Sequence, residues 1–477
     1  MESRSDLISE FYPMSGSVLW SSSLGNILIG CPPEILKALL KDHLPMPDTI
    51  VVPGTLHKYF SSQACLEFPI YHFLFVQQGL ARGGKLKVYA KTHVCKALAE
   101  MLRVTLLGPN LEEVLESEKR LHLSPETNRE KIEQVFKETH FLALKAQDGD
   151  ILPVESIVDF YPLEMEEERV VYESFENHPA ISIKRLGEDS FSLTCDREYR
   201  ANIRIEAPQS PAYQIKAKRV EPEELVSKTA FSIRCLGASE GFDSKQPANG
   251  LLLRMNSKWI LWDCPAYLSL HLQRIGLERE DVDAMFISHV HDDHIDIMQT
   301  VQDGSRVNLY TTVEIFHCMI LKLMAVLDCS YEEAANRYHF IPIYANRPFQ
   351  LFRSTFEVFY SVHPIPALGL KLSVPIGDEV KRFFISGDNL PKRMVAQLDR
   401  SNVFSSSRKK EIDSALPIQS DFDLALVDVG GGMIHGDPED YFEHKTQVFY
   451  THTGKRLEGL PDHHHQLSSG QRITIHR

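Results

Sequence analysis

The chain carries one pattern twice, and that repetition limits its fold more than any other feature. Residues 27–32 read ILIGCP and residues 260–265 read ILWDCP. Each is followed by an amphipathic stretch, PEILKALLKDHL or AYLSLHLQRIGL, and then by an apolar strand-like run, TIVV at 49–52 or AMFIS at 284–288. Further on, KLKVYAKTHVCKALAEML at 85–102 resembles RVNLYTTVEIFHCMILKLM at 306–324. A strand–helix–strand–loop–strand–helix design used twice predicts an α/β architecture in both halves. Length agrees, since 477 residues exceed one ordinary core.

Between the copies, residues 105–150 are charged and helical in pattern (LEEVLESEKRLHL, NREKIEQVFKETHFLALKA), which predicts a solvated amphipathic face. Residues 178–220 alternate in short β-type runs, suited either to closing the first sheet or to forming a small insert. Glu221-Pro222-Glu223-Glu224 reads as the linker, and a fresh strand, FSIRCLG at 231–237, follows it. The expected domains are therefore 1–220 and 221–477. Near the end, His463-His464-His465 reads as an adventitious polar cluster.

Composition removes several classes of function. The eight cysteines are scattered with no CxxC pair, which argues against a zinc finger or a disulfide framework. A net charge of −14 repels long polyanions and excludes duplex DNA as a partner. The one compact basic run near the later motifs, Arg408-Lys409-Lys410 in a Ser-rich stretch, reads as a solvated loop. No apolar run is long enough to span a bilayer, and the start, MESRSDLISEF, lacks a signal-peptide layout, so no membrane association and a cytoplasmic location are expected.

The chemistry concentrates where the copies differ. After its strand the first copy reads Pro53-Gly54-Thr55-Leu56-His57-Lys58, whereas the second reads His289-Val290-His291-Asp292-Asp293-His294. Three imidazoles and two carboxylates on a loop at a strand's carboxyl end suit metal ligation, and such ends are where α/β folds place their sites. Imidazole with carboxylate suits zinc, iron or manganese better than calcium or magnesium. Later strand ends offer more ligands: His363 after FEVFYSV, Asp388 after KRFFISG and His452 after TQVFYT.

HVHDDH fits the HxHxDH signature of the metallo-β-lactamase superfamily, and the later residues follow in that superfamily's order. The resemblance covers residues 230–455, with Asn249 and Asp263 matching its early strands. It implies an αββα sandwich of two mixed sheets in the C-terminal half, and a degenerate, metal-free copy of the same fold in the N-terminal half, as in long-form tRNA 3′-processing endonucleases. It also implies that His289, His291 and His363 hold one metal, that Asp293, His294 and His452 hold a second, and that Asp388 bridges them. The cofactors expected are two divalent ions, zinc first, with iron or manganese compatible.

Within the superfamily, HPIPALGLKL at 363–372 and ISGDN at 385–389 resemble the phosphodiesterase and tRNA-processing branch. In that branch DVGGGMIH at 428–435 corresponds to the segment whose histidine protonates the leaving oxygen, which makes His435 the candidate general acid. Asp293 and His435 are thus the expected catalytic residues, and Asp292 a solvated neighbour. Ile295-Asp296-Ile297 departs from the family's glycine-leucine pair, and no long basic arm of the kind that holds tRNA is present. The expected function is a dinuclear-metal phosphodiesterase acting on a nucleotide-type phosphodiester, either a small cyclic nucleotide or an RNA 3′ end. The alternatives are a hydrolase of a lactone, thioester or other ester, and a non-catalytic scaffold with structural metal. A homodimer is compatible with the sequence.

Overall fold

The computed structural model describes residues 8–59, 61–123, 129–146, 148–175, 180–195, 199–221, 231–301, 306–415 and 422–475. The chain divides into two compact units, one of residues 1–103, 152–213 and 321–330, the other of 104–151, 214–320 and 331–477. Pro222, Glu223 and Glu224 of the expected linker lie outside the described residues.

In the first unit, strands Ile8–Phe11, Val18–Ser22 and Asn26–Ile29 pair antiparallel; Asn26–Ile29, Thr49–Val51, Leu86–Ala90 and Val158–Pro162 then continue in parallel. The β-type runs after residue 178 do not close this sheet. With Glu168–Tyr172 they form a separate four-stranded antiparallel sheet of Ile181–Gly187, Ser190–Cys195 and Tyr199–Arg204. Buried Trp20, Ile29, Val51, Ile183, Phe191 and Ile203 belong to one core cluster spanning both sheets.

The second unit repeats the first sheet's topology. Phe231–Gly237, Gly250–Met255 and Lys258–Trp262 pair antiparallel, and Lys258–Trp262, Val282–Phe286, Val307–Thr311 and Tyr338–Pro342 run parallel, with Arg472–Ile475 on the far edge. Parallel neighbours need long crossovers, here supplied by helices Leu268–Ile275 and Val313–Leu327. A second seven-stranded sheet runs Phe349–Leu351, Ser354–Tyr360, Leu368–Ile376, Glu379–Ile385, Leu424–Asp428, Gln447–Thr451, His464–Gln466, antiparallel through the first four strands and parallel thereafter. The two sheets pack face to face: the rings of Phe231 and Phe383 lie 4.2 Å apart, and Phe286 stacks on Phe356 at 5.3 Å. This is an αββα sandwich.

The repetition reaches single residues. Gly30 N donates to Val51 O at 2.9 Å and Asp263 N to Phe286 O at 2.9 Å; both residues have left-handed backbones, φ 79° and 61°. Cys31 N donates to Gln63 O, and Cys264 N to His294 O. Gln63 thus holds the place of His294. In the first unit the strand ends are closed by a cation: buried Arg185 donates to the carbonyls of Val52 (3.0 Å), Leu163 (2.9 Å) and Glu188 (3.2 Å).

Two expectations about charged segments are corrected. Helices Leu111–Arg120 and Arg129–Leu142 bear out the helical pattern, but the face is not wholly solvated, since Glu118, Gln134 and Glu138 are buried. The Arg408-Lys409-Lys410 run lies not in a loop but in helix Ser406–Ala415, with Arg408 buried. Its guanidinium forms a two-point pair with Glu138 (2.8 and 2.9 Å) and donates to the carbonyls of Tyr360 and Ser361. Packing selects one arginine of the run because two backbone acceptors and a buried carboxylate face it.

Candidate metal centre

Each expected ligand sits just past the carboxyl end of a strand of the sandwich. His289, His291, Asp293 and His294 follow Val282–Phe286; His363 follows Ser354–Tyr360; Asp388 follows Glu379–Ile385; His452 follows Gln447–Thr451. These strands are apolar and buried, so their ends converge, and all seven side chains are at most 6% exposed. The turn into Asp388 requires a glycine. Gly387 has φ 60°, and a Cβ there would lie 2.1 Å from Leu368 O.

The donor atoms form sets. His289 Nε2 and His363 Nε2 each lie 3.2 Å from His291 Nδ1. His452 Nε2 lies 3.0 Å from Asp293 Oδ2, and His294 Nε2 lies 3.0 Å from Asp388 Oδ1. Asp388 Oδ2 stands between the sets, 3.7 Å from His289 Nε2 and 3.5 Å from His452 Nε2. For ligands about 2.0–2.1 Å from a tetrahedral ion, the edge between nitrogens is about 3.3 Å, which fits the first trio. Asp388 Oδ2 and His363 Nδ1 are buried without a hydrogen-bond partner among the described residues. A donor set this buried, with Asp388 Oδ2 unpartnered at its middle, has the chemistry of a cation site.

Electrostatics separates the imidazoles. Burial pushes His289 and His363 well below the usual histidine range, so both keep neutral, lone-pair-bearing rings. For His294 burial acts in the same direction, but Asp388 and Asp263 overcome it and raise the group. His452, likewise opposed by burial, is raised to about 9 by Asp388 and Asp293. Burial would raise Asp388 and Asp293, yet the facing imidazoles hold both carboxyls down.

An outer layer orients the inner one. Asp263 Oδ2 faces His294 Nδ1 at 2.8 Å and accepts from Ser288 Oγ, whose backbone amide donates to Asp263 Oδ1; Ser288 Oγ also lies 3.0 Å from His289 Nδ1. Such partners fix which ring nitrogen is presented inward. Asn249 Nδ2 lies 3.4 Å from His294 Nε2, and Asp292 is half-buried beside the cluster.

His435 joins the cluster. Its Nδ1 faces Asp428 Oδ2 at 3.0 Å and Asp388 Oδ2 at 3.5 Å, its ring lies 4.3 Å from that of His452, and its side chain is 15% exposed. Reading the sequence missed the role of Asp428, which also accepts from the amides of Asn389 and Gly430, both at 3.0 Å. The signal was present, since LALVD ends an apolar strand in aspartate as ILWD does. His463 lies in the turn before the edge strand His464–Gln466, which holds His464 and His465, and the three form no metal-type group among the described residues.

The family model of the anti-Pycsar protein Apyc1 matches residues 231–405. The chain is 27% identical over 194 residues to the cGMP-dependent 3′,5′-cGMP phosphodiesterase A of Dictyostelium discoideum, covering 40% of this chain and 22% of the relative. It is 25% identical over 222 residues to that organism's cAMP/cGMP-dependent 3′,5′-cAMP/cGMP phosphodiesterase B, covering 46% and 20%. The matched segments therefore span about a fifth of these relatives' length. A solved diphosphatase of the PhnP family aligns at TM-score 0.38 and 13% identity over 52% of this chain and 97% of that one. With its paired sheets and HxHxDH turn, the C-terminal half has the metallo-β-lactamase fold and is similar over residues 231–405 to the anti-Pycsar Apyc1 family.

Proposed function

We propose that the second unit is a dinuclear-metal phosphodiesterase acting on a nucleotide-type phosphodiester, a 3′,5′-cyclic nucleotide in the first place and an RNA 3′ end in the second. One observation carries the reading: seven buried ligand-type side chains from four strand ends share one cluster with an imidazole held by its own carboxylate. His289, His291 and His363 would hold one cation, Asp293, His294 and His452 the other, and Asp388 both. Zinc suits these ligands best, and iron or manganese is compatible. Two such cations would bring a shared water near neutrality in pKa and offset charge on the phosphoryl oxygens.

The chain's own groups supply the rest. Asp263 holds His294 by Nδ1, so Nε2 faces inward. Asp428 holds His435 by Nδ1, so that in the imidazolium form the proton on Nε2 is the one available to a departing sugar oxygen. Asp293 completes the catalytic pair as the carboxylate hydrogen-bonded to His452. The relatives named as cyclic-nucleotide phosphodiesterases favour the small substrate, as does the net charge of −14, which disfavours long polyanions.

The test is a substrate panel on zinc- or manganese-reconstituted protein: bis(p-nitrophenyl) phosphate, 3′,5′-cAMP, 3′,5′-cGMP, a precursor tRNA, a lactone and a thioester. Hydrolysis of the phosphodiesters, lost in His291→Ala, is expected. Two bound metals without turnover of any phosphodiester would reject the proposal.

A further inference from the structure

The loop that carries His435 is tied from outside the cluster. It runs from residue 429 to 437, between strand Leu424–Asp428 and the turn Pro438–Tyr441. Its inner end is fixed, since Asp428 grips the Gly430 amide and the His435 ring, and Gly431 N donates to Gly436 O at 3.2 Å. Its tip is open. Gly431 and Gly432 have φ 76° and 72°, a Cβ on either would meet nothing within 4 Å, and Met433 is 67% exposed. Glycines with open space at their Cβ positions give the tip backbone freedom that packing does not restrain.

One side chain spans this loop from a neighbouring element. Arg393, on helix Lys392–Arg400, donates from Nε to Asp437 Oδ2 at 3.0 Å and from Nη2 to the carbonyl of Gly432. Asp437 and Gly432 lie on the two arms that flank His435, so the planar guanidinium bridges them from two nitrogens in a fixed fork, whereas a lysine's donors share one nitrogen on a flexible stem. The helix begins four residues after Asp388, so the same segment that presents Asp388 also anchors the loop. Arg393 is half exposed, and an ion pair of that kind adds little to global stability. Its effect falls on the loop.

We propose that Arg393 is a positioning residue for His435, a latch that holds the imidazole Nε2 where a leaving oxygen departs; this rests on the reading of His435 as proton donor. In the reaction, a water oxygen bonds to phosphorus and loses its proton to solvent while the bond from phosphorus to the leaving oxygen breaks. The electron pair of that bond goes to the leaving oxygen, which takes the proton from His435 Nε2. A sugar alkoxide is a strong base and needs that proton. A p-nitrophenolate is a weak base and scarcely does. A loosened His435 should therefore slow one substrate far more than the other.

The experiment compares kcat for 3′,5′-cGMP with kcat for bis(p-nitrophenyl) phosphate in metal-loaded wild type, Arg393→Ala, Arg393→Lys, Asp437→Asn and His435→Ala. General acid catalysis contributes about 10²–10⁴-fold, so loss of the latch should lower the cGMP-to-aryl ratio by about tenfold or more, through kcat and not KM. Arg393→Lys should recover part of the loss, and Asp437→Asn should repeat the defect more mildly. If Arg393→Ala lowers both substrates equally, or lowers neither, the latch is overturned while a selective defect in His435→Ala keeps the proton donor. If His435→Ala shows no selectivity between the substrates, the reading of His435 itself fails.

Discussion

Asp428 Oδ2 faces His435 Nδ1 at 3.0 Å and, through the same oxygen, accepts the backbone amide of Asn389 at 3.0 Å, one residue beyond Asp388. One carboxylate thus meets both the ring proposed as proton donor and the residue that follows the proposed bridging acid. Asp428→Asn keeps the shape but places an amide where an acceptor is needed. Steady-state kinetics on a cyclic nucleotide should show kcat reduced by about a hundredfold or more. A change of under threefold would remove Asp428 from any orienting role.

Asp388 lies within 4 Å of both donor sets, so Asp388→Ala should break the link between them. Outer-layer partners of metal sites are worth about 10–100-fold, and an inner ligand should exceed that, leaving activity near background. Metal analysis should give a metal-to-protein ratio below that of wild type, with a modest change in Tm. Unaltered turnover in this variant rules out the bridging assignment.

Protons and cations compete for the cluster. In chelator-treated protein His452 is raised to about 9, against an ordinary value of 6.5, because Asp388 and Asp293 outweigh the cost of burial. The folded state then binds a proton that the unfolded state releases at lower pH. Stability from this residue is complete below about pH 6.5 and is lost as pH climbs through about 9. Thermal melts of chelated protein should therefore drop across that window, while a metal-loaded sample should show a flatter or opposite trend, since binding displaces the proton. Parallel slopes in the two samples would refute this.

The pair between Arg408 and Glu138 is fully buried and also holds two carbonyls just before His363. Removing one partner leaves an uncompensated charge, so Arg408→Ala should cost about 3–5 kcal/mol in urea unfolding. Glu138→Ala should cost a similar amount, and the double variant should recover part of the loss. Additive losses across the double-mutant cycle would mean that the two residues act separately.

The clustered ligand-type residues were legible because each follows an apolar run, and a strand that ends in an imidazole or carboxylate advertises its own position. The repeated α/β topology could be read for the same reason, as periodicity survives without contacts. The outer layer was not legible in the same way. Nothing within Arg408-Lys409-Lys410 says which cation turns inward, because the partner, Glu138, lies 270 residues away. Arg185 left a fainter trace: ISIKR alternates with period two, which puts Arg185 on the same face as buried Ile181 and Ile183. A hydrophobic reading passes over it because an arginine there contradicts the face's composition.

That arginine has a consequence for cation binding. Where the second unit gathers imidazoles, the first has a permanent positive group on the carbonyls of Val52 and Leu163, with Gln63 in the slot of His294. Grafting histidines onto the first unit's strand ends would not by itself make a cation site, because any incoming ion would meet like charge. In the first unit, charge at the strand ends opposes a cation by itself, whatever side chains surround it.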